Sequence, residues 1–183
     1  MTSAPELTPP DVLISSLDHV RGDTDAPVTL LEFGEFECVH CGRAYHTIRQ
    51  MLREVPEVRF VFRHFPQEDV HPFSERSALA AEAAAAQGRF WEMHDFLFES
   101  QHQLEYDDLF RHARELGLDI DRFTRDLVDR AHLSKVHADR SSGIDIGVTG
   151  TPSFFINGER YEGRYDTPSL VAAVREAIAE RDN

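Results

Sequence analysis

Hydrophobic positions along this chain follow two periods, one suited to strands and one to helices. Val28, Leu30, Leu31 and Phe33 form a nearly unbroken apolar run, which predicts a strand over 28–33 buried on both faces. Asp25-Ala26-Pro27 ahead of it reads as a turn or strand entry. From Cys41 the apolar residues switch to helical spacing: Ala44, Tyr45, Ile48, Met51, Leu52 and Val55, with Pro56 ending the helix. Residues 58–65 alternate as a second strand, closed by Pro66. Strand, helix, strand implies a right-handed crossover between parallel neighbours.

The middle of the chain carries no strand signal. An alanine-rich helix is expected over 74–87, ending near Gly88. Phe90, Trp91, Met93, Phe96 and Leu97 make an aromatic helical stripe that suits a core. Asp107 opens a helix through Leu116, with Gly117 as its C-cap, and Asp119 or Asp121 caps a shorter one. A further helix is expected over 133–144. Strand signals return at Ser153-Phe154-Phe155-Ile156, where Asn157-Gly158 predicts a tight hairpin into Glu159-Arg160-Tyr161. Thr167-Pro168 caps and starts a last helix with Leu170, Val171, Val174 and Ile178 inward. Together these elements predict an α/β fold: a four-stranded mixed sheet, helices on both sides, and a helical subdomain beside it.

Composition narrows the partners. The 33 acidic residues outnumber the 19 basic ones, a formal charge of −14, which argues against nucleic acid or an anionic membrane as partner. No stretch approaches the ~18 apolar residues of a membrane span. The first twenty residues, with Pro5, Pro9 and Pro10, lack a basic leader and an apolar signal core, and read as a flexible lead. The expected location is cytoplasmic, or extracytoplasmic if a leader has been removed.

The candidate chemistry lies in Cys38-Val39-His40-Cys41, which holds the only two cysteines of the chain. The spacing lets the sulfurs bond to each other. Placed where a strand hands over to a helix, the first sulfur meets unpaired N–H groups and the partial positive charge of the helix start, which favour a thiolate. The thiolate is the nucleophile of disulfide exchange. A structural zinc site would need about four ligands, and a second ligand pair beside Cys38, Cys41, His40 and His46 is absent from the sequence.

This dithiol, the Gly22-Asp23-Thr24-Asp25-Ala26-Pro27-Val28 entry, Phe62-Arg63-His64-Phe65-Pro66, Phe90-Trp91-Glu92-Met93-His94, and Gly147 through Gly158 with Thr151-Pro152 resemble the DsbA-like thiol-disulfide oxidoreductases of the thioredoxin fold. The likeness covers nearly the whole chain from Gly22. It implies a flexible lead over 1–21, a thioredoxin-like domain from 22–66 and 148–183, and an inserted helical subdomain over 67–147.

The resemblance also assigns roles. Cys38 is the nucleophile and Cys41 the resolving thiol. His40 lowers the Cys38 pKa, whereas Glu35 and Glu37 oppose the thiolate. Glu32, six residues before Cys38, falls where the family carries a buried acid that shuttles a proton to or from Cys41. Pro152 is the cis-proline beside the dithiol, Thr151 pairs with an extended substrate and donates to the Cys38 sulfur, and Gly150 permits the tight turn before them. One departure stands out: the family's DsbA has proline directly after the first cysteine, and here that position is Val39.

The implied activity is exchange with protein thiols and disulfides or low-molecular-weight thiols, reset by a redox partner. It needs no bound cofactor, since the electrons travel in the sulfurs. Two other readings stay open. One is a glutathione-dependent transferase or isomerase of the same fold, in which a single serine or cysteine serves in place of a dithiol. The other is a non-catalytic binding module that docks through its helical cap.

Overall fold

The apolar runs become the centre of one mixed sheet in the computed structural model, which describes residues 14–181. Strand β1 (His19–Arg21) is followed by β2 (Val28–Gly34), helix α1 (Val39–Glu54) and β3 (Val58–His64). Five helices come next: α2 (Ser74–Ala85), α3 (Phe90–Glu99), α4 (Tyr106–Glu115), α5 (Ile120–Val128) and α6 (Leu133–Asp145). Then β4 (Ser153–Ile156), β5 (Glu159–Tyr161) and α7 (Thr167–Arg181) complete the order. The strands lie in the order β1-β3-β2-β4-β5, with β2 and β3 parallel and the other pairs antiparallel. This is the thioredoxin fold, and β2 at its centre delivers the chain to the dithiol.

Alternation along β2 sorts its side chains between two cores. Leu31 and Phe33 join Val61, Phe65, Val148 and Phe155 in the smaller one. Val28 and Leu30 join the larger one with Phe60, Phe62, the inner face of α1 and Leu170, Val171 and Val174 of α7. Glu32 lies in phase with Leu30, so its carboxyl points to the face on which α1 packs. None of the described helices is long and apolar enough to cross a membrane.

The sheet has five strands where the sequence predicts four, because β1 adds to the free edge of β3, His19 opposite Phe62. Most of the expected flexible lead, residues 1–13, lies outside the described residues, but 19–21 belong to the sheet. Side chains distant in sequence hold them there. Arg63 clamps Asp18 with two hydrogen bonds (2.7 and 2.8 Å), and the Trp91 indole N–H donates to the Val20 carbonyl (2.9 Å). Arg21 pairs with Asp95 (2.9 Å). The Glu82 carboxylate meets Nε2 of both His19 (2.7 Å) and His64 (2.9 Å). Burial alone would raise the Glu82 pKa, but these two hydrogen bonds outweigh it and hold the carboxyl well below its usual range.

Two helix starts differ from the expectation by one residue. Helix α4 begins at Tyr106 rather than at Asp107, and the Asp108 carboxylate reaches back to the Glu105 N–H (3.3 Å). Helix α7 is capped by Asp166, not Thr167: its carboxylate accepts from the Ser169 N–H (3.0 Å).

Candidate active site

Strand β2 ends at Gly34, three residues turn, and α1 begins directly after Cys38. Cys38 has φ −69° and ψ 118°, the extended backbone of an N-cap residue. Its sulfur therefore sits where a serine or aspartate oxygen would otherwise take the orphan N–H groups of the first helical turn. That first turn has no acidic residue to oppose a negative charge.

Both cysteines are free thiols, and both are buried. The Cys38 pKa falls from an ordinary 9.0 to about 5. The largest cause is a hydrogen bond from the Cys41 thiol; burial opposes it, and the Thr151 side chain and the backbone N–H groups of Cys41 and His40 reinforce it. Cys41, one turn deeper and fully buried, moves the other way. Burial pushes its pKa well above 9.0, and the neighbouring Cys38 and Glu32 add to that. One sulfur is thus poised as a thiolate and the other as a thiol.

Below them lies Glu32, only 1% exposed, with Oε1 lacking a hydrogen-bond partner. Burial and then the nearby Cys38 charge raise its pKa from 4.5 to about 8. Gly34 makes room for this carboxyl: a Cβ there would stand 2.9 Å from Glu32 Oε1 and 2.8 Å from the Phe62 ring. A second glycine has a similar task on α1. A Cβ at Gly42 would meet Gln101 Oε1 at 2.2 Å, and Gln101 is the residue whose amide donates to the carbonyls of Phe36 (2.8 Å) and Cys38 (2.9 Å). Those bonds fix the turn that presents the dithiol.

The loop before β4 closes the site from the other side. The Thr151–Pro152 peptide is cis. As a thiol, Cys38 donates to the Thr151 carbonyl oxygen (3.6 Å). The Thr151 hydroxyl lies 3.4 Å from Glu35 Oε1 and accepts from the Gln67 amide (3.2 Å).

Two expected roles look different in the structure. The His40 ring is exposed, with Nδ1 3.1 Å from the Tyr165 hydroxyl, so what His40 lends to the Cys38 sulfur is its backbone N–H. Gly150 is not required by backbone geometry: it is absent from the positive-φ residues, and a Cβ there would meet nothing within 4 Å. Its carbonyl instead accepts from the Ser153 hydroxyl (2.7 Å).

Sequence patterns did not point to Gln67, His71, Gln101 or Tyr165. None lies next to the dithiol in sequence, and each arrives through loop geometry. Glu35 and Glu37 were visible only as negative charge. Glu35 is buried in a hydrogen-bonded cluster, and Glu37 accepts from the Phe73 N–H (2.6 Å) ahead of α2. Among the described residues, no set of three candidate metal ligands includes either cysteine.

Comparison with known proteins agrees with this fold. A thioredoxin family model matches residues 15–178. The Na(+)/H(+) antiporter NhaA 3 of Salinispora tropica is 48% identical over 162 residues, which make up 88% of this chain and 25% of that protein. The chain thus spans about a quarter of the length of the curated relatives it matches. A thioredoxin-like oxidoreductase from Silicibacter pomeroyi superposes with TM-score 0.79 and 26% identity, over 92% of this chain and 94% of that one. The α-DsbA1 protein of Wolbachia pipientis has the same fold, with TM-score 0.78 and 21% identity over 92% and 94% of the two chains. The chain belongs to the thioredoxin family, and its architecture is that of the DsbA-like oxidoreductases.

Proposed function

We propose that this domain is a thiol-disulfide oxidoreductase that donates its Cys38–Cys41 disulfide to thiol substrates. The observation that carries the reading is the contrast between the two sulfurs, one held as a thiolate at a helix start and one kept protonated behind it. A substrate thiolate attacks Cys38 Sγ, the Cys38–Cys41 bond breaks, and Cys41 leaves and takes up a proton. A second substrate thiolate then attacks the substrate sulfur of the mixed disulfide and expels Cys38. The substrate gains a disulfide, and two electrons remain on the dithiol for a redox partner to remove. Cys38 departs readily because its thiolate is stable, which makes the disulfide oxidising.

Protein thiols fit the surroundings. Val39, 61% exposed beside Cys38, offers an apolar contact at the point of attack, and the backbone at Thr151 lies next to the sulfur, available to an extended segment. The intact dithiol disfavours the single-nucleophile glutathione transferase reading. The chain matches only a quarter of its antiporter relatives, and we assign it the redox chemistry and not the transport.

Mixing oxidised protein with a reduced, unfolded substrate protein tests the reading. The expected result is one substrate disulfide formed for each Cys38–Cys41 disulfide consumed, read by thiol titration of both proteins. Oxidised protein that leaves the substrate thiols untouched would remove the assignment.

A further inference from the structure

Beside Cys38 lies a cluster that the exchange steps above do not use. Glu35, 2% exposed, sits at the end of β2, and the loop after β3 brings Gln67 and His71 to it. Its Oε1 lies 2.5 Å from His71 Nδ1, 3.4 Å from the Gln67 side-chain nitrogen and 3.4 Å from the Thr151 hydroxyl, while Oε2 accepts from the Gln67 backbone N–H (3.2 Å). The Gln67 amide also donates to the Thr151 hydroxyl oxygen (3.2 Å).

The Thr151 hydroxyl has one proton. With Gln67 donating to its oxygen, that proton goes to the Glu35 carboxylate (3.4 Å), and the Thr151 side chain is also among the groups that lower the Cys38 pKa. When Cys38 is a thiol, it donates to the Thr151 carbonyl and makes no claim on the hydroxyl, which is left to Glu35. When Cys38 ionises, the sulfur becomes an acceptor, and the Thr151 side chain is among the groups that stabilise it. At 3.4 Å the hydroxyl's bond to Glu35 is weak, so transferring it costs little.

We propose that Glu35, anchored by His71 and Gln67, is a positioning residue that competes with Cys38 for the Thr151 hydroxyl and so restrains the Cys38 thiolate. The proposal rests on the reading of Cys38 as the exchange nucleophile. Among the described residues, the titratable groups that act on the pair include Cys41 and Glu32 on the dithiol side and His71 on the loop side. His71, 29% exposed on its side chain, connects the buried carboxylate to solvent, and its hydrogen bond to Glu35 lowers the pKa of that carboxyl. Burial raises the Glu35 pKa, the Gln67 and His71 hydrogen bonds lower it, and the Cys38 charge raises it again. Charge on the Cys38 sulfur and charge on the Glu35 carboxyl therefore oppose each other.

The test is the Cys38 pKa, read from thiolate ultraviolet absorbance and from the pH profile of alkylation. Glu35→Gln keeps the shape and removes the competing charge. It is expected to lower the Cys38 pKa by about one unit, roughly tenfold more thiolate relative to thiol at a given pH. Thr151→Val removes the contested proton and is expected to raise the Cys38 pKa; in that background Glu35→Gln should lose more than half its effect. Should Glu35→Gln not fold, Glu35→Asp withdraws the carboxylate by one methylene and is expected to shift Cys38 in the same direction. An unchanged Cys38 pKa in the Glu35 variants, or an undiminished Glu35 effect in Thr151→Val, overturns the competition and leaves the exchange reading intact. A wild-type Cys38 that titrates near 9 overturns both.

Discussion

Replacing Cys38 with serine is expected to abolish disulfide exchange, a loss of roughly a thousandfold or more, while Cys41→Ser, which cannot form the internal disulfide, is expected still to let the Cys38 thiolate attack an external disulfide and to trap the mixed disulfide. The asymmetry follows from the two environments. A Cys38 pKa of about 5 means that roughly 99% of this sulfur is thiolate at pH 7, against about 1% for a thiol at its ordinary 9.0. The stabilising donors, the Cys41 thiol, the Thr151 side chain and two first-turn N–H groups, converge on the Cys38 position and no other. Cys41 is fully buried, and its pKa is raised instead. In the proposed exchange its task is intramolecular: it attacks Cys38 Sγ of a mixed disulfide to release a bound partner. Without it the partner stays attached, and mass spectrometry of Cys41→Ser incubated with an oxidised thiol reagent should find a stable adduct on Cys38. An adduct-free Cys41→Ser protein, or full activity in Cys38→Ser, would contradict these roles.

Glu32→Gln is expected to slow the step at Cys41 by roughly a hundredfold, the order of a lost general acid–base group. Cys41 must give up a proton to attack and take one to leave, and it is fully buried. Glu32 is the buried acid that acts on it, and a pKa of about 8 leaves that acid able to hold or release a proton near neutral pH. Stability offers an independent check. A carboxyl with a folded-state pKa near 8 and an unfolded value of 4.5 binds more protons when folded, so it lowers stability as pH rises from about 4.5 to 8. The whole penalty, on the order of a few kcal/mol, is in place above that window. Glu32→Gln is thus expected to be more stable than the wild type at pH 9 and nearly equal to it at pH 4, read by denaturant unfolding at the two values. Equal stability at both, together with an unchanged resolving rate, would show Glu32 to be an ordinary carboxylate.

Much of this was legible in the sequence because it rests on local signals. The apolar runs of β2 and β3 give buried parallel strands. Asn157 and Gly158 both take positive φ, 49° and 88°, as the hairpin between β4 and β5 requires. The dithiol announces itself by spacing, and Glu32 by its place six residues before Cys38, where the resemblance puts a buried acid. The rest depends on contacts between residues far apart in the chain. Strand β1 has three residues and no apolar run; it is held by Trp91, Asp95 and Glu82, 71, 74 and 63 residues away from their partners. His71 comes to Glu35 across 36 residues and Tyr165 to His40 across 125, so no local pattern could join them. The expected role of His40 shows the same limit from the other side. Position 40 does support the thiolate, but through a backbone N–H that any non-proline residue would supply, while the ring turns to Tyr165.

The reduction potential of the Cys38–Cys41 pair, by equilibration against glutathione buffers, tests the exchange chemistry most directly. A stabilised Cys38 thiolate favours the reduced form, so the expected potential lies well above the roughly −270 mV of thioredoxin and toward the roughly −120 mV of DsbA. Such a value would also favour an oxidising compartment over the cytoplasm, where thiols are kept reduced. A potential at or below thioredoxin's would contradict the oxidant role, and failure of the two sulfurs to form an intramolecular disulfide would contradict the exchange chemistry itself.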